Sequence, residues 1–545
     1  MNINEELSID EHDFKKLIKK NKIYVDKTEM IKRIRDLNGT YYFLSRPRRF
    51  GKSLLLSTLK ELFEGNRELF EGFYVYDNWD WGKTYPVIHL DLNKPKAQSP
   101  EIFEESLNFY LDRVAKNFSI KLEAKYSNDK LSELIEEVQL LNKKNVVVLI
   151  DEYDKPILDN MDNKEIATDI QKSLKDFYGT LKSMSSSLEF VFITGISKFS
   201  KVSVFSELNN LKDLTLNEDY STICGYTQEE LEKYFKKFIG HYSDLKDRSY
   251  EETLCDVKKY YDGYSWDGKN FLYNPFSIMN FFDDNDFNNY WFESGTPNFL
   301  VKIFKEDFDV GEIYSPIIRS KSDFNTFDIE NLKQIPLMFQ AGYLTIGKKE
   351  SIDKKIVYTL KIPNLEVEES LADNLFDNFY TKTENNFRSK RKEILTQLRE
   401  GKCDLFVGYL KGEINKIHYQ LKIRDWRYYQ SIILFAIKAL NFEVKGEVST
   451  FSGRMDIAIE EDSRHFFSDN KGHVIIVEVK YTQQKNKNIE TLASSGLNQI
   501  KEKRYWDRYE GNDIVIICLA IKEVKLKIGG SKVDMKCIIE KMDGL

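Results

Sequence analysis

The sequence is poor in cysteine, proline and glycine. Its five cysteines are odd in number and form no C-x-x-C pair, which argues against a disulfide framework and against a structural zinc site. Only 10 prolines and 26 glycines occur in 545 residues, so we expect no long flexible linker. Unpaired thiols are typical of the reducing cytoplasm, and we expect the protein to act there.

Long apolar runs are also missing. No uncharged apolar stretch approaches the ~20 residues that a membrane-spanning helix needs. Residues 1–20 are charged and lack the apolar centre of a signal peptide. We therefore expect no membrane partner.

The charge balance is mildly acidic. A formal net charge of -7 is not that of a strongly basic nucleic-acid binder, although a local basic groove remains compatible with it. With 41% hydrophobic and 31% charged residues the chain is an ordinary globular one, and its length favours two to four domains.

The first part of the chain alternates apolar strands with helical patterns. Strands are predicted at 41–45, 87–91, 146–150 and 189–194, and helices at 52–63, 128–141 and 164–184. Apolar strands separated by helices predict a parallel sheet that is covered on both faces.

A phosphate-binding loop is predicted where the first strand ends. Residues 46–53, R-P-R-R-F-G-K-S, keep the last three positions of a Walker A loop but carry Arg46 in place of its first glycine. Gly51 lets the backbone approach a phosphate, Lys52 reaches the β- and γ-phosphates, and Ser53 ligates Mg²⁺. The loss of the first glycine favours ATP binding more than efficient hydrolysis.

A second strand supplies the acidic partner of this loop. The apolar run 146–150 ends in Asp151 and Glu152, which is the pattern of a Walker B strand: Asp151 would hold Mg²⁺ and Glu152 would act as the catalytic base. Thr194, at the end of a later strand, is a candidate sensor of the γ-phosphate. The alternative is that these side chains only cap strand-to-loop transitions.

The arginines of the loop are left open. Arg46, Arg48 and Arg49 either contact phosphates or are solvated charges, and the sequence does not decide between these roles. We count Arg49 among the candidate nucleotide-binding residues.

The middle of the chain ends in a helix at 336–341 followed by strands at 343–346 and 356–360. This order predicts a winged-helix-like module. Winged helices bind DNA or serve as connectors, and the lack of an obvious basic recognition helix favours the connector.

The last part of the chain is predicted to contain a helix at 428–440, three strands at 442–447, 454–459 and 473–480, a helix at 492–506 and a strand at 513–520. Because alternate side chains of a strand share a face, Glu478 and Lys480 point the same way, and Asp456 on the neighbouring strand can meet them. Asp456 and Glu478 would hold Mg²⁺, or alternatively Mn²⁺, for phosphodiester cleavage, and Lys480 would position the water or neutralise charge.

The alternative for this group is an edge strand with a surface Glu/Lys pair. Charges inside an apolar strand are costly unless they are paired or ligated, so the run V-I-I-V-E-V-K favours a catalytic site. Glu447 is a candidate further acid, and Gln499 is a candidate to face the sheet from the following helix.

Several segments together resemble one bacterial and archaeal family. They are Y-V-D-K-T (24–28), R-P-R-R-F-G-K-S (46–53), I-D-E-Y-D-K-P-I (150–157), T-G-I-S-K-F-S (194–200), N-N-L-K-D-L-T (209–215), C-G-Y-T (224–227), Y-D-G-Y (261–264) and N-P-F-S (274–277). They look like segments of AAA-ATPase-like proteins with a C-terminal PD-(D/E)XK nuclease domain, in which an arginine at position 46 is normal.

The resemblance implies an α/β multidomain protein. It implies an AAA-like P-loop ATPase domain and a restriction-endonuclease-like nuclease domain at the end, and the residue patterns place these at 1–223 and 371–545, with a helical lid and winged-helix-like region at 224–370 between them. Motif by motif, it implies nucleotide roles for Lys52, Ser53, Asp151 and Glu152, and metal and catalytic roles for Asp456, Glu478 and Lys480.

Three functions compete on this basis. The leading interpretation is an ATP-regulated or ATP-driven nuclease acting on DNA or RNA. The second is a nucleotide-dependent switch whose nuclease-like domain only binds nucleic acid or protein. The third is an assembly protein in which ATP binding drives homo-oligomerisation, with Lys198 and the loop arginines as the candidates for an arginine finger.

Overall fold

The computed structural model describes most of the chain. The described residues are 6–9, 11–199, 204–205, 208, 210–293, 317–324, 333–352, 354–371, 387–416, 429, 433, 436–437, 444–450, 453–461, 473–509, 513–525 and 531–542. The chain forms two compact units, the first made of Met1–Lys302 with Ile318–Val367 and the second of Ile303–Ile317 with Glu368–Leu545. The predicted boundaries at residues 223 and 370 stay predictions.

The first unit is built on a parallel five-stranded sheet with the strand order β2-β3-β4-β1-β5. The strands are β1 Tyr41–Ser45, β2 Val87–Asp91, β3 Val146–Asp151, β4 Leu188–Gly195 and β5 Lys212–Asp213. Every residue of β1 and β3 is buried, as in a sheet covered on both faces. The four predicted strands are confirmed, whereas β5 is too short to leave a sequence pattern.

Helices surround this sheet and continue beyond it. They are α1 Phe14–Lys19, α2 Thr28–Asp36, α3 Lys52–Glu64, α4 Val75–Asn78, α5 Pro100–Lys116, α6 Ser127–Asn142, α7 Lys155–Leu158, α8 Lys164–Ser183, α9 Gln228–Leu245, α10 Tyr250–Tyr261, α11 Pro275–Asp284 and α12 Tyr290–Glu293. Side chains define several starts: Ser99 and Asn163 accept from backbone N–H groups, and Thr227 and Ser249 form capping boxes with the glutamates three residues later.

The parallel strand direction positions the first candidate site. The carboxyl ends of β1, β2, β3 and β4 meet at one edge of the sheet, and ligands bind at this edge in α/β folds. The loop after β1 turns into α3 through Gly51, whose φ of 87° lies in the left-handed region that favours glycine. The phosphate-binding loop therefore opens onto the ends of β2, β3 and β4.

Two short helices and a small three-stranded sheet, which begins at the boundary residue Ile317, lie in the later part of the first unit. Helices α13 Lys321–Phe324 and α14 Gln334–Ala341 accompany a three-stranded sheet, in which β7 Thr345–Ile352 and β8 Lys355–Lys361 form a hairpin next to β6 Ile317–Ser320. Residues 336–341 of α14 are all buried, so this helix has no free face for reading DNA. The burial favours the connector interpretation of the winged-helix-like region.

The second unit is built on a mixed sheet with the order β13-β12-β11-β10-β9. Its strands are β9 Val444–Thr450, β10 Gly453–Glu461, β11 His473–Thr482, β12 Asp513–Lys525 and β13 Ser531–Met542. Only β11 and β12 run parallel; the other neighbours are antiparallel. The long strand β13 follows β12 as a hairpin partner and was not predicted.

Both faces of this second sheet carry apolar cores. One face packs with α15 Phe387–Arg399 and α16 Asp404–Lys416, and its core includes Val477 and Val479. The other face packs with α17 Ile489–Lys503, and its core includes Ile476 and Ile516. Val477 and Val479 therefore point into the core between the sheet and helices α15 and α16.

One predicted helix falls largely outside the described residues. Of the residues 428–440, the structure describes Tyr429, Ile433, Ala436 and Ile437, which are helical and buried. Their spacing of four, three and one places them on a single helix face, in agreement with the predicted helix.

No helix in the described part of the chain is long and apolar enough to cross a membrane. The five cysteines are all free thiols, as their number and spacing predict.

Candidate functional sites

A cavity of about 890 Å³ lies at the carboxyl edge of the parallel sheet. This volume is within the range of ordinary small-molecule sites. The cavity wall includes all but one of the predicted nucleotide residues, namely Arg49, Gly51, Lys52, Ser53, Asp151 and Glu152. Residues from the N-terminal segment and from the start of α11, including Ile9, His12 and Phe276, complete the wall.

The phosphate-binding loop is joined to the Walker B strand by a hydrogen bond. The hydroxyl of Ser53 donates to Oδ2 of Asp151 at 2.5 Å. The Nζ atom of Lys52 is buried, donates to the carbonyl oxygen of Pro47 at 3.1 Å, and lies 4.0 Å from Oε1 of Glu152. The structure thus brings the four residues together on one wall of the cavity.

Thr194 is connected to these four residues by a hydrogen bond to Asp151. It is fully buried, it does not line the cavity, and its hydroxyl donates to Oδ1 of Asp151 at 2.7 Å. The same oxygen accepts from the backbone N–H of Glu152 at 3.0 Å. Both carboxylate oxygens of Asp151 are therefore oriented by neighbours. The side-chain oxygen atoms of Ser53 and Asp151 are suitable ligands for Mg²⁺, a hard cation that prefers oxygen ligands.

Glu152 has an unusual backbone and an unusual acidity. Its φ of 49° lies in the left-handed region, which turns the side chain away from the line of β3 toward the cavity wall. Burial raises the pKa of Glu152 to about 7; the charge of Asp151 adds to the rise, and Lys52 opposes it. A carboxylate with a pKa near 7 is suited to accept a proton at neutral pH.

Of the three loop arginines, Arg46 is the one that does not line the cavity. Arg46 is buried and donates to the carbonyl oxygens of Ser45, Thr215, Tyr220 and Ser221. Its guanidinium also lies 4.1 Å from the ring centre of Trp266, and burial lowers its pKa to about 10. Arg46 is therefore a structural support beneath the loop and not a phosphate ligand.

Two polar residues near the cavity, the buried Asp154 and the half-buried His89, were not predicted from the sequence. Asp154 accepts from the backbone N–H groups of Ile196 and Ser197 and from the Ser197 hydroxyl, so it holds the loop after β4. His89 lines the cavity, and among the described residues its buried Nε2 atom has no hydrogen-bond partner. A histidine inside the apolar run V-I-H-L was the signal available for it.

The second candidate site lies where β10 and β11 pair in the second unit. Ile457 is opposite Val477, so Asp456 and Glu478 come side by side at the next position. The Asp456 carboxylate accepts from the backbone N–H of Val479 at 2.7 Å. The predicted meeting of Asp456 with the E-V-K segment is thus what the strand register produces.

Glu478, Lys480 and Gln499 form a closed hydrogen-bonded set. The Nζ atom of Lys480 donates to Glu478 Oε1 at 2.8 Å and to Gln499 Oε1 at 2.6 Å. The side-chain amide of Gln499, on α17, donates to the same Glu478 oxygen at 2.6 Å and to the Tyr505 hydroxyl at 3.1 Å. The helix after β11 therefore contributes directly to the site, as proposed for Gln499.

The remaining oxygen of Glu478 is the feature that fits a metal. Oε2 is buried and has no hydrogen-bond partner among the described residues. Burial raises the pKa of Glu478 to about 7, the charge of Asp456 raises it further, and Lys480 and Gln499 lower it. A buried carboxylate oxygen without a partner is costly unless a cation or a proton completes it, and two adjacent carboxylates match the ligand preference of Mg²⁺ or Mn²⁺.

Close packing holds α17 against the site. A Cβ atom added at Gly496 would lie 2.2 Å from Cys518 Sγ and 3.0 Å from Lys480 Cγ. Only glycine therefore lets the helix approach Lys480 this closely. The side chain of Glu447 lies outside the described residues, and among those described no three His, Cys, Asp or Glu side chains converge as a metal cluster.

Comparison with known protein families gives two matches. Residues 8–205 match the AAA-ATPase-like family, described as a predicted AAA-ATPase, and residues 425–529 match a family of the PD-(D/E)XK nuclease superfamily. Membership in these superfamilies generally goes with nucleotide and divalent-metal binding.

Similar whole proteins were found by sequence and by structure. An uncharacterized protein encoded in the vnfD 5′ region of Azotobacter chroococcum mcd 1 is 34% identical over 503 residues, which cover 92% of each chain. The structure of the Aeropyrum pernix ORC2 protein in ADPNP–ADP complexes is 11% identical, covers 69% of this chain and 96% of its own, and has a TM-score of 0.23. Drosophila ORC bound to GC-rich DNA and Cdc6 is 12% identical, with coverages of 71% and 55% and a TM-score of 0.26.

The sequence match to the Azotobacter protein, which extends over 92% of each chain, shows the family. The motifs of both sites lie within regions that match the two family descriptions. The chain belongs to the family of AAA-ATPase-like proteins that carry a PD-(D/E)XK nuclease superfamily domain toward the C-terminus.

Proposed function

We propose that the chain is an ATP-binding and ATP-hydrolysing protein whose second unit is a metal-dependent nuclease for DNA or RNA. The observation that carries the proposal is Glu478, a buried carboxylate with one oxygen fixed by Lys480 and Gln499 and the other without a protein partner among the described residues. A Glu/Lys pair on the surface of an edge strand would not require a buried carboxylate with one oxygen unpartnered. The side chain instead has the geometry of a metal ligand held ready in position.

In the proposed nuclease reaction, Asp456 and Glu478 would hold a divalent ion, which would supply a more acidic water and a Lewis acid for the phosphodiester. Lys480 lies beside these carboxylates, where its charge would counter the negative charge that builds up as the P–O bond breaks. Gln499 holds the Lys480 ammonium and the Glu478 carboxylate in fixed positions relative to each other, because it is hydrogen-bonded to both.

In the proposed ATPase reaction, the loop N–H groups and Lys52 bind the phosphates, and Ser53 with Asp151 holds Mg²⁺. Thr194 acts through Asp151, because it donates to that carboxylate and does not line the cavity. Glu152 accepts the proton of the attacking water, which its raised pKa favours. Arg49 contributes positive charge at the cavity wall.

A second candidate function, a nucleotide-dependent switch, is favoured by contacts of α14. The Gln340 side chain accepts from the backbone N–H of Lys198 at 2.7 Å, in the loop that follows β4. A Cβ atom at Gly342, just after α14, would lie 2.9 Å from Pro47 in the phosphate-binding loop. A change in the conformation of either loop on ATP binding would therefore shift α14 and the β7–β8 hairpin that follows it.

The deciding experiment uses the purified full chain with single- and double-stranded DNA and RNA, Mg²⁺ or Mn²⁺, with and without ATP. The nuclease proposal expects cleavage that Asp456→Ala abolishes, and the comparison with and without ATP measures the regulation. ATP turnover without cleavage of any polymer would overturn the nuclease proposal and leave the switch. Absence of both ATP turnover and ATP binding would overturn the ATPase proposal.

A further inference from the structure

An exposed turn follows β11, the strand that carries the glutamate and lysine of the second site. Residues 483–488, Q-Q-K-N-K-N, join β11 to α17, and they include Lys485 and Lys487 but no acidic residue. All six are exposed. The Gln484 N–H donates to the Thr482 hydroxyl at 3.2 Å, and the Lys487 N–H donates to the Gln484 carbonyl oxygen at 3.2 Å. The turn therefore has a defined shape and presents two ammonium groups to solvent.

Lys522 on β12 adds a third positive charge at this turn. Its Nζ atom donates to the carbonyl oxygen of Lys487 at 2.8 Å, so the ammonium lies against the turn. A lysine ammonium has three N–H donors, and this bond uses one of them. The other two donors can bind an anion that lies on the turn.

The strand register places Lys522 beside the second site. In the parallel β11–β12 ladder Lys480 pairs with Ala520, and Thr482 pairs with Lys522. Because alternate residues of a strand share a face, Lys480, Thr482 and Lys522 project from one face of the sheet. A rise of ~3.3 Å per residue and a strand spacing of ~4.8 Å put the Cα atoms of Lys480 and Lys522 about 8 Å apart. The third lysine is thus a close neighbour of the proposed catalytic one.

The acidic side chains nearest to this surface are paired with other lysines. Glu490, in the first turn of α17, lies 3.2 Å from Lys536. Asp534, which is opposite Lys522 on β13, lies 3.6 Å from Lys411. These pairs balance each other, so the surface stays positive although the whole chain has a net charge of -7. A local basic surface on an acidic protein attracts a polyanion to one place.

We propose that Lys485, Lys487 and Lys522, together called the lysine surface, bind the phosphate backbone of a nucleic acid next to the phosphate that the second site cleaves. The inference rests on the proposed nuclease function. The carboxylates of Asp456 and Glu478 act on one phosphodiester, and the lysine surface contacts the phosphates that flank it on one side. Ammonium groups bind phosphate oxygens without reading bases, so this surface positions the polymer and selects no sequence.

The composition of the turn favours nucleic acid over a protein partner. Apart from its lysines it contains two glutamines and two asparagines, and it has no apolar or aromatic side chain. Protein–protein interfaces are centred on aromatic and apolar side chains, whereas lysine, glutamine and asparagine are common donors to phosphate oxygens. The lysine surface therefore has the chemistry of a backbone contact.

The test measures how nucleic-acid binding by the full chain depends on salt. Fluorescence anisotropy gives Kd for labelled single-stranded and duplex oligonucleotides of DNA and RNA between about 50 and 200 mM KCl, the range over which backbone contacts are salt-sensitive. EDTA prevents metal-dependent cleavage. The variants are Lys522→Gln, Lys522→Arg and the double variant Lys485→Gln/Lys487→Gln. The matched control is Lys402→Gln, an exposed lysine between α15 and α16, which pack on the other face of the sheet.

Each lysine that contacts a phosphate contributes about 0.9 to the slope of log Kd against log salt for a duplex, and about 0.7 for a single strand. Lys522→Gln should lower the slope by this amount and weaken binding about five- to eightfold at ~0.1 M salt. The double variant should lower the slope by about twice as much. Lys522→Arg should keep the slope, because arginine keeps the charge. Lys402→Gln should match the wild type.

Cleavage with Mn²⁺ separates backbone binding from a role in catalysis. Contacts to flanking phosphates bind substrate and transition state equally, so Lys522→Gln and the double variant should raise KM and leave kcat unchanged. A fall in kcat with an unchanged KM would overturn the backbone role. Melting curves check that each variant is folded.

Three further results would overturn the inference. One is an unchanged salt slope and an unchanged KM in both Lys522→Gln and the double variant. Another is an equal fall of the slope in Lys402→Gln. The third is polyglutamate that binds as tightly as an oligonucleotide of equal charge and is lost in the same variants, since the surface would then fit an acidic protein. If the wild type neither binds nor cleaves any polymer, the nuclease proposal itself fails, and that result precedes any comparison of variants.

Discussion

The two candidate sites each contain a glutamate and a lysine, and they hold the pair differently. In the first unit the Nζ atom of Lys52 lies 4.0 Å from the Glu152 carboxylate and donates to a backbone carbonyl oxygen instead. In the second unit the Nζ atom of Lys480 donates to Glu478 at 2.8 Å and also to Gln499. The first pair is separated at the wall of a large cavity, and the second is locked together in a sheet.

The acidity of the two glutamates is nevertheless similar. Burial raises the pKa of both Glu152 and Glu478 to about 7, and in each case an aspartate raises it further while a lysine opposes the rise. The difference therefore lies in geometry and not in acidity. A separated lysine can bind a phosphate that enters between the charges, whereas a locked lysine fixes a carboxylate that is meant to hold a metal.

The largest expected effect is at the locked pair. Asp456→Ala or Glu478→Gln should reduce nucleic-acid cleavage by ~10²–10⁴-fold, the range for removal of a catalytic group, and should weaken Mn²⁺ binding measured by calorimetry. Glu502→Gln, on the exposed part of α17, is the matched control and should retain cleavage. Undiminished cleavage in both site variants would mean that this unit uses other residues.

At the separated pair, Glu152→Gln should reduce ATP turnover by ~10²–10³-fold while ADPNP binding is kept, because a glutamine cannot accept the proton. The pH profile sharpens the test. Glu152 acts as the carboxylate, and its pKa is about 7, so kcat/KM of the wild type should rise with pH up to about 7 and then level off. A wild-type profile that is flat between pH 5 and pH 8 would contradict the assignment.

A smaller effect is expected beneath the phosphate-binding loop. Arg46→Lys should lower the free energy of unfolding of the first unit by about 2–3 kcal/mol, because lysine cannot donate to four carbonyl oxygens and stack on Trp266 at once. Denaturant melts monitored in the presence and absence of ADPNP measure this loss. Unchanged stability would show that the carbonyl oxygens find other donors.

The smallest effect is expected at α17. Gly496→Ala should cost about 1–3 kcal/mol, because the added methyl group overlaps Cys518 and presses on Lys480. It should also lower cleavage by separating Lys480 from Gln499. Ser494→Ala on the exposed side of the same helix is the control, and equal melting temperatures for the two variants would contradict the packing argument.

Several features could be predicted because they are local. The strands of the first sheet are short apolar runs, and Glu478 with Lys480 shares a strand face through simple alternation. The connector interpretation also followed from the missing basic helix, and the burial of α14 favours it. The strand β13 was missed because its charged residues, such as Lys536 and Glu540, hide the apolar alternation.

The roles of individual charged residues depended on the tertiary structure. The sequence left the roles of Arg46, Arg48 and Arg49 open. In the structure, Arg46 meets carbonyl oxygens that lie 169 to 175 positions further along the chain, and Arg49 meets Phe276. No local pattern encodes contacts at such separations.

The sequence by itself determined most strands of the two large sheets, the order of the motifs and the residue types available at each site. These follow from backbone periodicity and from motif spacing, which act over a few residues. Only the tertiary structure decided which lysine is hydrogen-bonded to its glutamate, which loop arginines line the cavity, and which carboxylate oxygen has no partner among the described residues. Those outcomes depend on desolvation and on hydrogen bonds between distant segments, which exist only once the chain has folded.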